Sequence, residues 1–451
     1  MSINKDNIIQ KVNNIAQFMG NATYFRAMRD AFAMVVPFLV LTGFVILFNF
    51  VVIAPDGFLA DYINPETLVK TQLLGNKIIA GTMSILSLLI VVLVSYSLSV
   101  TRKAKNPIIP VAVALSCMFV LMPTSFEIIP DGMDKAIEIG GMISYTLTGS
   151  GGMFVAIFTG ILSTELFLKL SGIEKLQIKM SGSIPPAVIQ TFNSLIAVML
   201  TILTFAIVSF TIVMLTGDDI NEIIVNVIQA PLVHLTTSLP GFLVLCMLTN
   251  LLFFFGIHAG GIINPILEPP LLVAMQENVQ AFAANQDIPN IIVLPFRDLY
   301  GHLGGTGSTI ALLIVVFLLS KRKEHKQFAK MVIPTSIFNI NEPIVFGFPI
   351  IFNPFMLIPF VFGPLVLFTV AYIATSVGLV SPIVAYVPWS VPPLISGWLG
   401  SAGDIRNVIL QLVLIVIQVA MYIPFFKLYE KSLDIMDKER ENMEIESKTG
   451  A

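Results

Sequence analysis

Charged residues are scarce in this sequence. Asp, Glu, Lys and Arg make up 12% of its 451 residues, about half of the roughly 25% that soluble domains carry, and hydrophobic residues make up 56%. This scarcity excludes an ordinary soluble globule. The net charge of −3 says little about partners, and a nucleic-acid partner is not expected.

Cysteine is nearly absent as well. The two cysteines, Cys117 and Cys246, both lie in apolar runs, so the sequence indicates neither a disulfide framework nor a metal site. We expect both thiols to pack as small apolar groups, and no cofactor is expected. The stretch before Ala31 lacks the short apolar core and small-residue cleavage site of a secretory signal, so the first apolar segment is expected to be retained.

Long hydrophobic runs are what the sequence has in abundance. Several uncharged segments exceed the roughly 20 residues that a transmembrane helix needs. The short alternating segments of a membrane β-barrel have no comparable strength here. The sequence therefore predicts an all-α polytopic membrane protein. The candidate spans cover residues 31–53, 78–99, 106–126, 139–164, 235–257 and 407–426.

Basic residues mark the loops on one side of the membrane. Lys and Arg collect in cytoplasmic loops, which predicts that both termini of this plasma-membrane protein are cytoplasmic. With this orientation, five crossings precede Gly217 and a sixth covers 240–257. The basic clusters lie at 102–105, 169–179, 321–330 and 427–431.

Two segments are too interrupted for plain spans. Residues 258–309 contain Glu268 before two prolines and the glycine-rich stretch GHLGGTGST, and residues 338–350 contain Pro343, Gly347 and Pro349. Irregular backbone occurs at membrane depth only where protein or water covers it. We therefore predict two discontinuous elements that line a cavity, the second a hairpin entering from the cytoplasm.

Glu342 is the strongest candidate for a functional residue. From Pro343 to Gly403 the sequence has no Asp, Glu, Lys, Arg or His, and an ionisable group inside a membrane usually marks a site. The amides of Asn339 and Asn341 precede it and could hold the hydroxyls of a neutral polar solute. A cation is less favoured, because several carboxylates would be needed to replace its water shell.

His258 is the second candidate. It follows the aromatic run 253–255 and Gly256, which permits close backbone approach, and an imidazole can donate or accept near neutral pH. A lone histidine at the end of an apolar helix is more often structural, but pairing with Glu342 in another broken element favours function. His302, beside the glycine-rich stretch, is a candidate for lining the cavity. That stretch lacks the lysine of a P-loop.

Trp389 and Trp398 are the only tryptophans. Interfacial anchoring is the ordinary role of tryptophan in membrane proteins. Trp389, however, lies between prolines in the stretch YVPWSVPPLISGWLG, which cannot form a continuous helix. This favours a position in a cavity wall, where its ring could stack on a sugar.

The remaining ionisable residues have structural interpretations. Glu165 precedes a lysine by one turn, which favours a neutralised or snorkelling pair. The adjacent opposite charges at 29–30 and 297–298 predict ion pairs or interfacial anchors. His234 and His325 are expected to be interfacial and solvated. Residues 219–239 have the spacing of an interfacial amphipathic helix.

Five motifs in order resemble one known family. The sequence is similar nearly end to end, including FRAMRDAF before the first span, to the lactose/cellobiose family of phosphotransferase-system permeases, the enzyme IIC component. The Asn-Glu-Pro signature together with the Gly-Ile-His element is specific to this family. The five motifs are IPPAV at 184–188, FFGIH at 254–258, HLGGTGST at 302–309, FNINEPIVFGFPI at 338–350 and VPWSVPPLISGWL at 387–399.

The resemblance implies a homodimeric transporter of about ten spans with two re-entrant hairpins. Such a protein moves a β-linked disaccharide, such as cellobiose, diacetylchitobiose or lactose, inward by an elevator-type movement. A separate phosphorylated enzyme IIB, supplied by IIA, HPr and enzyme I, then phosphorylates the sugar. The chain by itself is expected to be a transport subunit rather than an independent enzyme.

The resemblance also assigns the site. His258 and Glu342 would meet the sugar near the hydroxyl that receives the phosphoryl group, and Trp389 would stack on the sugar. The family often has Trp where this chain has Phe253, and Gly where it has Ala259. The expected substrate-binding residues are His258, Glu342, Asn341, Trp389, Phe253, Gly256 and His302, with no metal.

The same reading divides the chain into four parts. The expected order is a scaffold and dimerisation half at 1–217, an interfacial helix at 218–239, a substrate-binding transport half at 240–430 and a charged cytoplasmic tail at 431–451. An ion-coupled secondary transporter of a neutral polar solute is the main alternative. An intramembrane enzyme or scaffold is a third, disfavoured because the sequence offers no nucleophile, metal cluster or catalytic domain.

Overall fold

The structure is a computed structural model of the whole chain. It describes residues 23–54, 59, 62–128, 137–178, 186–257, 259–348 and 350–449. Within these residues the regular secondary structure is helical, with the exception of one pair of short strands. His258 and Pro349, which belong to predicted site motifs, lie outside the described residues.

The helices fall into two compact units. The N-terminal unit contains the described residues of 14–235 and 264–276, and the C-terminal unit those of 236–263 and 277–451. Short 3₁₀ or π-helical turns extend several helices. The main helices are Thr23–Leu47, Pro65–Ala80, Leu86–Thr101, Ile108–Leu121, Met153–Ser171, Pro186–Thr216, Ile220–Ile224 continuing to Ala230–Thr237, Leu239–Phe254, Asn264–Ala283, Thr309–Leu319, Lys323–Ile337, Glu342–Gly347, Pro354–Leu357, Gly363–Ser376, Ile395–Gly400 and Ile405–Thr449.

Six helices in the described part of the chain are long and apolar enough to cross a membrane, and a bent pair, Ile220–Thr237 with Leu239–Phe254, brings the number to seven. This confirms a polytopic helical membrane protein. Ile108–Leu121 and Thr309–Leu319 are shorter apolar helices. The expected total of about ten spans counts helices of this kind as well. The six are Thr23–Phe50, Pro65–Thr101, Ser150–Ser171, Thr191–Thr216, Pro354–Ser376 and Ile405–Glu439.

The ends of two predicted spans are wrong. Ser125–Ile128 and Ile137–Gly140 form an antiparallel pair of strands, with Phe126 opposite Ile139, where the sequence analysis extends one span to 126 and begins the next at 139. The long helix that follows starts only at Met153. Glycines explain why the helix starts so far after residue 139, because a Cβ at Gly152 would overlap the carbonyl of Leu147. The chain therefore turns tightly before the helix can begin.

Small residues hold the helices of the N-terminal unit together. Gly160 lies against Val94, which leaves only 3.1 Å between an added Cβ and the valine side chain. The hydroxyls of Ser95 and Thr164 form a buried hydrogen bond of 2.6 Å. Cys117 is fully buried in an apolar cluster, as expected. Close helix packing through small residues and hydroxyls is typical of membrane bundles.

One helix organises the C-terminal unit. Ile405–Thr449 carries Asn407, Gln411, Gln418 and Tyr422 at spacings of four and seven residues, so the four side chains share one face, and all four are buried. All four side chains bond to other segments of the unit rather than to their own helix. The partners are Tyr300 and Ser381 for Asn407, Leu299, Leu394, Ser396 and Gly397 for Gln411, Gly307 and Pro359 for Gln418, and Gly307 for Tyr422.

Both predicted pairs of neighbouring charges are ion pairs. Arg29 and Asp30 approach to 2.8 Å on the surface, and Arg297 and Asp298 to 3.0 Å in a largely buried position. A different partner is found for Glu165, which accepts from Arg102 at 2.6 Å rather than from the lysine one turn later. The arginine directly follows the helix Leu86–Thr101, which packs against the helix that carries Glu165. Its planar head reaches the carboxylate across this helix pair.

His325 is not solvated, contrary to the prediction. Its Nδ1 lies 2.8 Å from a carboxylate oxygen of Glu430, and both side chains are largely buried. The imidazole also stacks on Tyr429 with ring centroids 6.1 Å apart. The basic loop packs against the last helix at this point, since Arg322 bonds Asp434 at 3.0 Å. His234 is exposed, as predicted.

Candidate functional site

Glu342 lies at the end of a sharp turn, here called the asparagine turn, residues 338–341. The helix before it ends at Ile337, and Asn339 adopts a left-handed backbone with φ of 60°, which asparagine tolerates better than most residues. Glu342 then begins a helix of six residues with Pro343 in its first turn, where a missing N–H costs nothing. The Glu342 side chain is exposed on the chain surface.

Asn339 connects the asparagine turn to two other segments of the C-terminal unit. Its Oδ1 accepts from the Gly304 amide at 2.7 Å. Its Nδ2 donates to the carbonyls of Trp389 at 2.6 Å and Val391 at 3.0 Å. We call residues 302–308 the glycine-rich turn and residues 387–394 the tryptophan loop. One buried side chain thus fixes three irregular segments.

Asn341 makes a second link between the asparagine turn and the glycine-rich turn. It is buried, and its Nδ2 donates to the Thr306 carbonyl at 2.7 Å. Gly305, with φ of 96°, lies so close that an added Cβ would be 2.4 Å from Asn341 Cγ. Only glycine permits this approach. The two asparagine amides that the sequence offers to sugar hydroxyls are both engaged with backbone groups.

The glycine-rich turn also satisfies much of its own backbone. Ser308 Oγ donates to the Gly301 carbonyl at 2.5 Å. Thr309 Oγ1 donates to the Gly304 carbonyl at 2.6 Å. Such local hydroxyl bonds replace the helical bonds that are missing where the chain is interrupted. The turn is therefore a rigid support rather than an open phosphate loop.

His302 is buried within this support. The residue is 6% exposed, and its Nε2 lies 3.2 Å from Asn250 Oδ1. Asn250 Nδ2 donates to the Val361 carbonyl, which leaves the Oδ1 atom to accept, so Nε2 carries the imidazole proton. Asp298 lies 3.9 Å from Nδ1, beyond hydrogen-bond length. This geometry holds His302 by protein contacts rather than presenting it at a surface.

The tryptophan loop is fixed at both ends and exposed at Trp389. Gln411 Oε1 accepts from the amides of Leu394 at 2.7 Å and Gly397 at 3.1 Å. Asn339 holds the other end, as described above. The Trp389 side chain is 48% exposed. A rigid loop that presents an exposed aromatic face suits stacking against a flat apolar surface.

The segment that leads to His258 packs on the residues after Glu342. Phe352 donates its amide to the Phe254 carbonyl at 3.2 Å. Gly256 has φ of 75°, and an added Cβ would lie 3.5 Å from the Ile351 side chain. Phe253 is buried. The predicted elements around His258 and Glu342 are thus bonded to each other in the described part of the chain.

The structure links the segments that carry the predicted site residues, through hydrogen bonds to backbone groups. Asn341 bonds the glycine-rich turn, which begins at His302, and Asn339 bonds both this turn and the Trp389 backbone. Two supporting roles were not predicted from the sequence. Asn339 bonds the glycine-rich turn and the tryptophan loop, and Gln411 bonds the far end of the tryptophan loop. The signal for Gln411 was its place among regularly spaced amides in the uncharged segment 407–426. Among the described residues, no group of three or more His, Cys, Asp and Glu could hold a metal ion.

Comparisons with known proteins identify the family. The phosphotransferase system EIIC family profile matches residues 29–364. The chain is 33% identical over 437 residues to the oligo-beta-mannoside-specific EIIC component of Bacillus subtilis, covering 96% of each chain. It is 32% identical over 433 residues to the lichenan permease IIC component of the same organism, covering 95% of this chain and 94% of the relative.

A solved structure is also similar. The crystal structure of the transporter ChbC, the IIC component from the N,N'-diacetylchitobiose-specific phosphotransferase system, superposes with a TM-score of 0.89 at 32% identity. The match covers 96% of this chain and 99% of ChbC. The profile, the relatives and the fold agree with the motifs at 254–258 and 338–350. The chain therefore belongs to the phosphotransferase system EIIC sugar permeases, in the lactose/cellobiose family.

Proposed function

We propose that this permease moves an uncharged β-linked disaccharide, such as cellobiose, diacetylchitobiose or lactose, inward and presents it to phosphorylated enzyme IIB. The observation that carries the proposal is the setting of Glu342. It is the only Asp, Glu, Lys, Arg or His between Lys330 and Asp404, and it follows a turn held by Asn339 and Asn341. One exposed carboxylate on a rigid support suits a neutral polyol.

The proposed reaction is phosphoryl transfer to a sugar hydroxyl. The hydroxyl oxygen attacks the phosphorus of the phosphocysteine on enzyme IIB, and the S–P bond breaks to release a thiolate. Glu342 orients the hydroxyl and takes its proton, with His258 as the second polar contact. The product carries about two negative charges, which repel Glu342 once this residue has released the proton, so release of the sugar phosphate becomes effectively one-way.

The remaining residues have supporting roles in this proposal. Trp389 stacks on a sugar ring, and Phe253 and Gly256 shape the wall near His258. Asn341 and His302 act through the segments that they hold, since their described bonds go to protein atoms. The lichenan, β-mannoside and diacetylchitobiose named for the similar proteins support a β-linked substrate.

The proposal extends to orientation and movement. Basic loops predict cytoplasmic termini in the plasma membrane. The transport half, 240–430, is proposed to carry the sugar as a rigid body in a homodimer whose scaffold is formed by 1–217. The dense bonding among the irregular segments of the C-terminal unit supports rigid-body movement, because a bonded cluster is displaced as a whole.

Replacing Glu342 by Gln tests the proposed reaction. We expect Glu342→Gln to retain binding of the neutral sugar within about tenfold and to lower sugar-phosphate formation by at least about 10²-fold, because general-base catalysis contributes about that much. Binding is measured by calorimetry in detergent, and phosphorylation with labelled phosphoenolpyruvate and the upstream proteins. Glu324→Gln, at an exposed position on the preceding helix, is the matched control and should behave as the parent.

Near-normal sugar phosphate from Glu342→Gln would remove this carboxylate from the reaction. Uptake into vesicles tests the class of transport. Accumulation of unmodified sugar driven by a sodium or proton gradient, with no phosphoryl donor, would instead support an ion-coupled transporter.

A further inference from the structure

The Asn339 side chain uses every hydrogen bond that an amide group readily makes in this setting. Its two N–H donors go to Trp389 and Val391, and its oxygen accepts from Gly304. An asparagine side chain has two donors and one acceptor atom. It is 8% exposed and its backbone is left-handed. A surface turn needs none of this, since glycine alone would supply the backbone conformation.

We propose that Asn339 is the positioning residue that fixes the tryptophan loop relative to the asparagine turn. In this arrangement a sugar stacked on the Trp389 ring has a hydroxyl at the Glu342 carboxylate. This inference rests on the proposed function, because the relative position of the two segments matters only if both Trp389 and Glu342 contact the sugar. Asn339 does not touch the sugar. It acts through the backbone of the two segments.

The hydrogen bonds of Asn339 explain why its loss should affect both the tryptophan loop and Glu342. Trp389 and Val391 offer part-buried carbonyls from an irregular segment, and a carbonyl that loses its donor in such a position destabilises the segment that carries it. Glu342 follows Asn339 by three residues, with buried Asn341 fixing the backbone between them. A displacement of about 1 Å at a reacting group can cost about 10²-fold in rate. Loss of one amide therefore affects chemistry at a residue that it does not contact.

A series of substitutions at Asn339 separates the effect of its side chain from the effect of its backbone conformation. Asn339→Gly keeps the left-handed conformation and removes all three bonds. Asn339→Asp keeps an acceptor for Gly304 and removes the two donors. Asn285→Gly is the matched control, because Asn285 is also left-handed, with φ of 53°, but is exposed. All variants carry Trp398→Phe, which leaves Trp389 as the sole tryptophan.

Three readouts are compared in the full-length protein purified in detergent. They are the emission and iodide quenching of Trp389 without sugar, the affinity for cellobiose, diacetylchitobiose and lactose, and kcat and KM for sugar phosphorylation with phosphorylated enzyme IIB. We expect Asn339→Gly to change the sugar-free emission and quenching and to lower kcat by at least about tenfold, with a smaller change in KM. Asn285→Gly should match the parent in all three.

The inference fails if folded Asn339→Gly has parental Trp389 emission and a kcat within twofold of the parent. If this variant does not fold, Asn339→Asp decides by the same criteria. A merely structural role predicts lower thermal stability with an unchanged kcat in the folded fraction, and that result also overturns the inference. If the parent phosphorylates none of the three sugars, the proposed function fails, while the sugar-free fluorescence still tests whether Asn339 sets the Trp389 loop.

Discussion

The two units of this permease solve the same physical problem in different ways. In the N-terminal unit, long continuous helices satisfy their own backbone groups and pack through small residues, as at Gly160 and Val94. In the C-terminal unit, the chain is interrupted at 302–308, 338–341 and 387–394. Each interruption exposes backbone groups, and the amide side chains of asparagine and glutamine bond to them.

This difference follows from the absence of water in a bilayer core. A continuous helix needs no help there, whereas a broken one needs an internal partner for each freed amide and carbonyl. Buried amides are suited to the task because they donate and accept at once. The site elements are found in the unit that carries this additional cost, which agrees with the general finding that irregular backbone at membrane depth is functional.

The largest expected effect is at Gln411, where one side chain bonds two amides, a carbonyl and a hydroxyl. Gln411→Leu leaves these buried groups unpaired and should lower the free energy of unfolding by about 3 kcal/mol or more. Thermal unfolding in detergent measures it, with exposed Gln327→Leu as the control.

Ser95→Ala is the partner experiment in the N-terminal unit. It removes a single hydroxyl bond to Thr164 and should cost about 1 kcal/mol. Equal losses for Ser95→Ala and Gln411→Leu would break the distinction drawn between the two units.

Packing in the N-terminal unit is tested at Gly160. Gly160→Val places new atoms against Val94 and the Val91 carbonyl, where an added Cβ already lies at 3.1 and 3.2 Å. Overpacking costs about 1–3 kcal/mol, so we expect a loss of about 2 kcal/mol, measured by thermal unfolding. Gly172→Ala, whose Cβ would have its nearest contacts at 3.5 Å, should be neutral within error. A stable Gly160→Val would show that this helix crossing has room to spare.

An effect of pH on stability is expected at Asp404, which precedes the last span. Burial raises the pKa of its carboxyl, but hydrogen bonds from Arg406 and Ser381 outweigh this and lower the pKa from 3.8 to about 2. Because the pKa is lower in the folded state, the stabilisation is present above pH 4 and is lost as the pH falls towards 2. It amounts to about 1–2 kcal/mol.

A pH series of unfolding temperatures in detergent measures this effect. The parent should lose stability between pH 4 and pH 2, whereas Asp404→Asn should lose less over the same interval. Parallel curves for the two proteins would show that the ionised Asp404 contributes nothing to the C-terminal unit.

Local patterns predicted what depends on neighbouring residues. The interrupted segments were identified from their Pro and Gly, and the pair Arg297 and Asp298 from adjacency. Long-range partners were not predictable in the same way. Glu165 bonds Arg102, and His325 bonds Glu430, and no periodicity relates residues so far apart in the chain.

The candidate site shows the same division. The importance of Glu342, Asn341 and Trp389 was inferred from scarcity of charge and from motifs. Hydropathy also merged the strands near 126 and 139 with the adjacent spans, because an apolar run does not reveal where glycines turn the chain. The supporting role of Asn339 required coordinates, since its bonds join residues about fifty positions apart.

The sequence by itself determined that this chain is a polytopic helical membrane protein of the EIIC type, because hydrophobic length and ordered motifs are local properties. Only the tertiary structure decided which amides face which carbonyls. Breaking a helix inside a membrane leaves polar groups that must be paired, and the choice of partner depends on three-dimensional proximity rather than on distance along the chain.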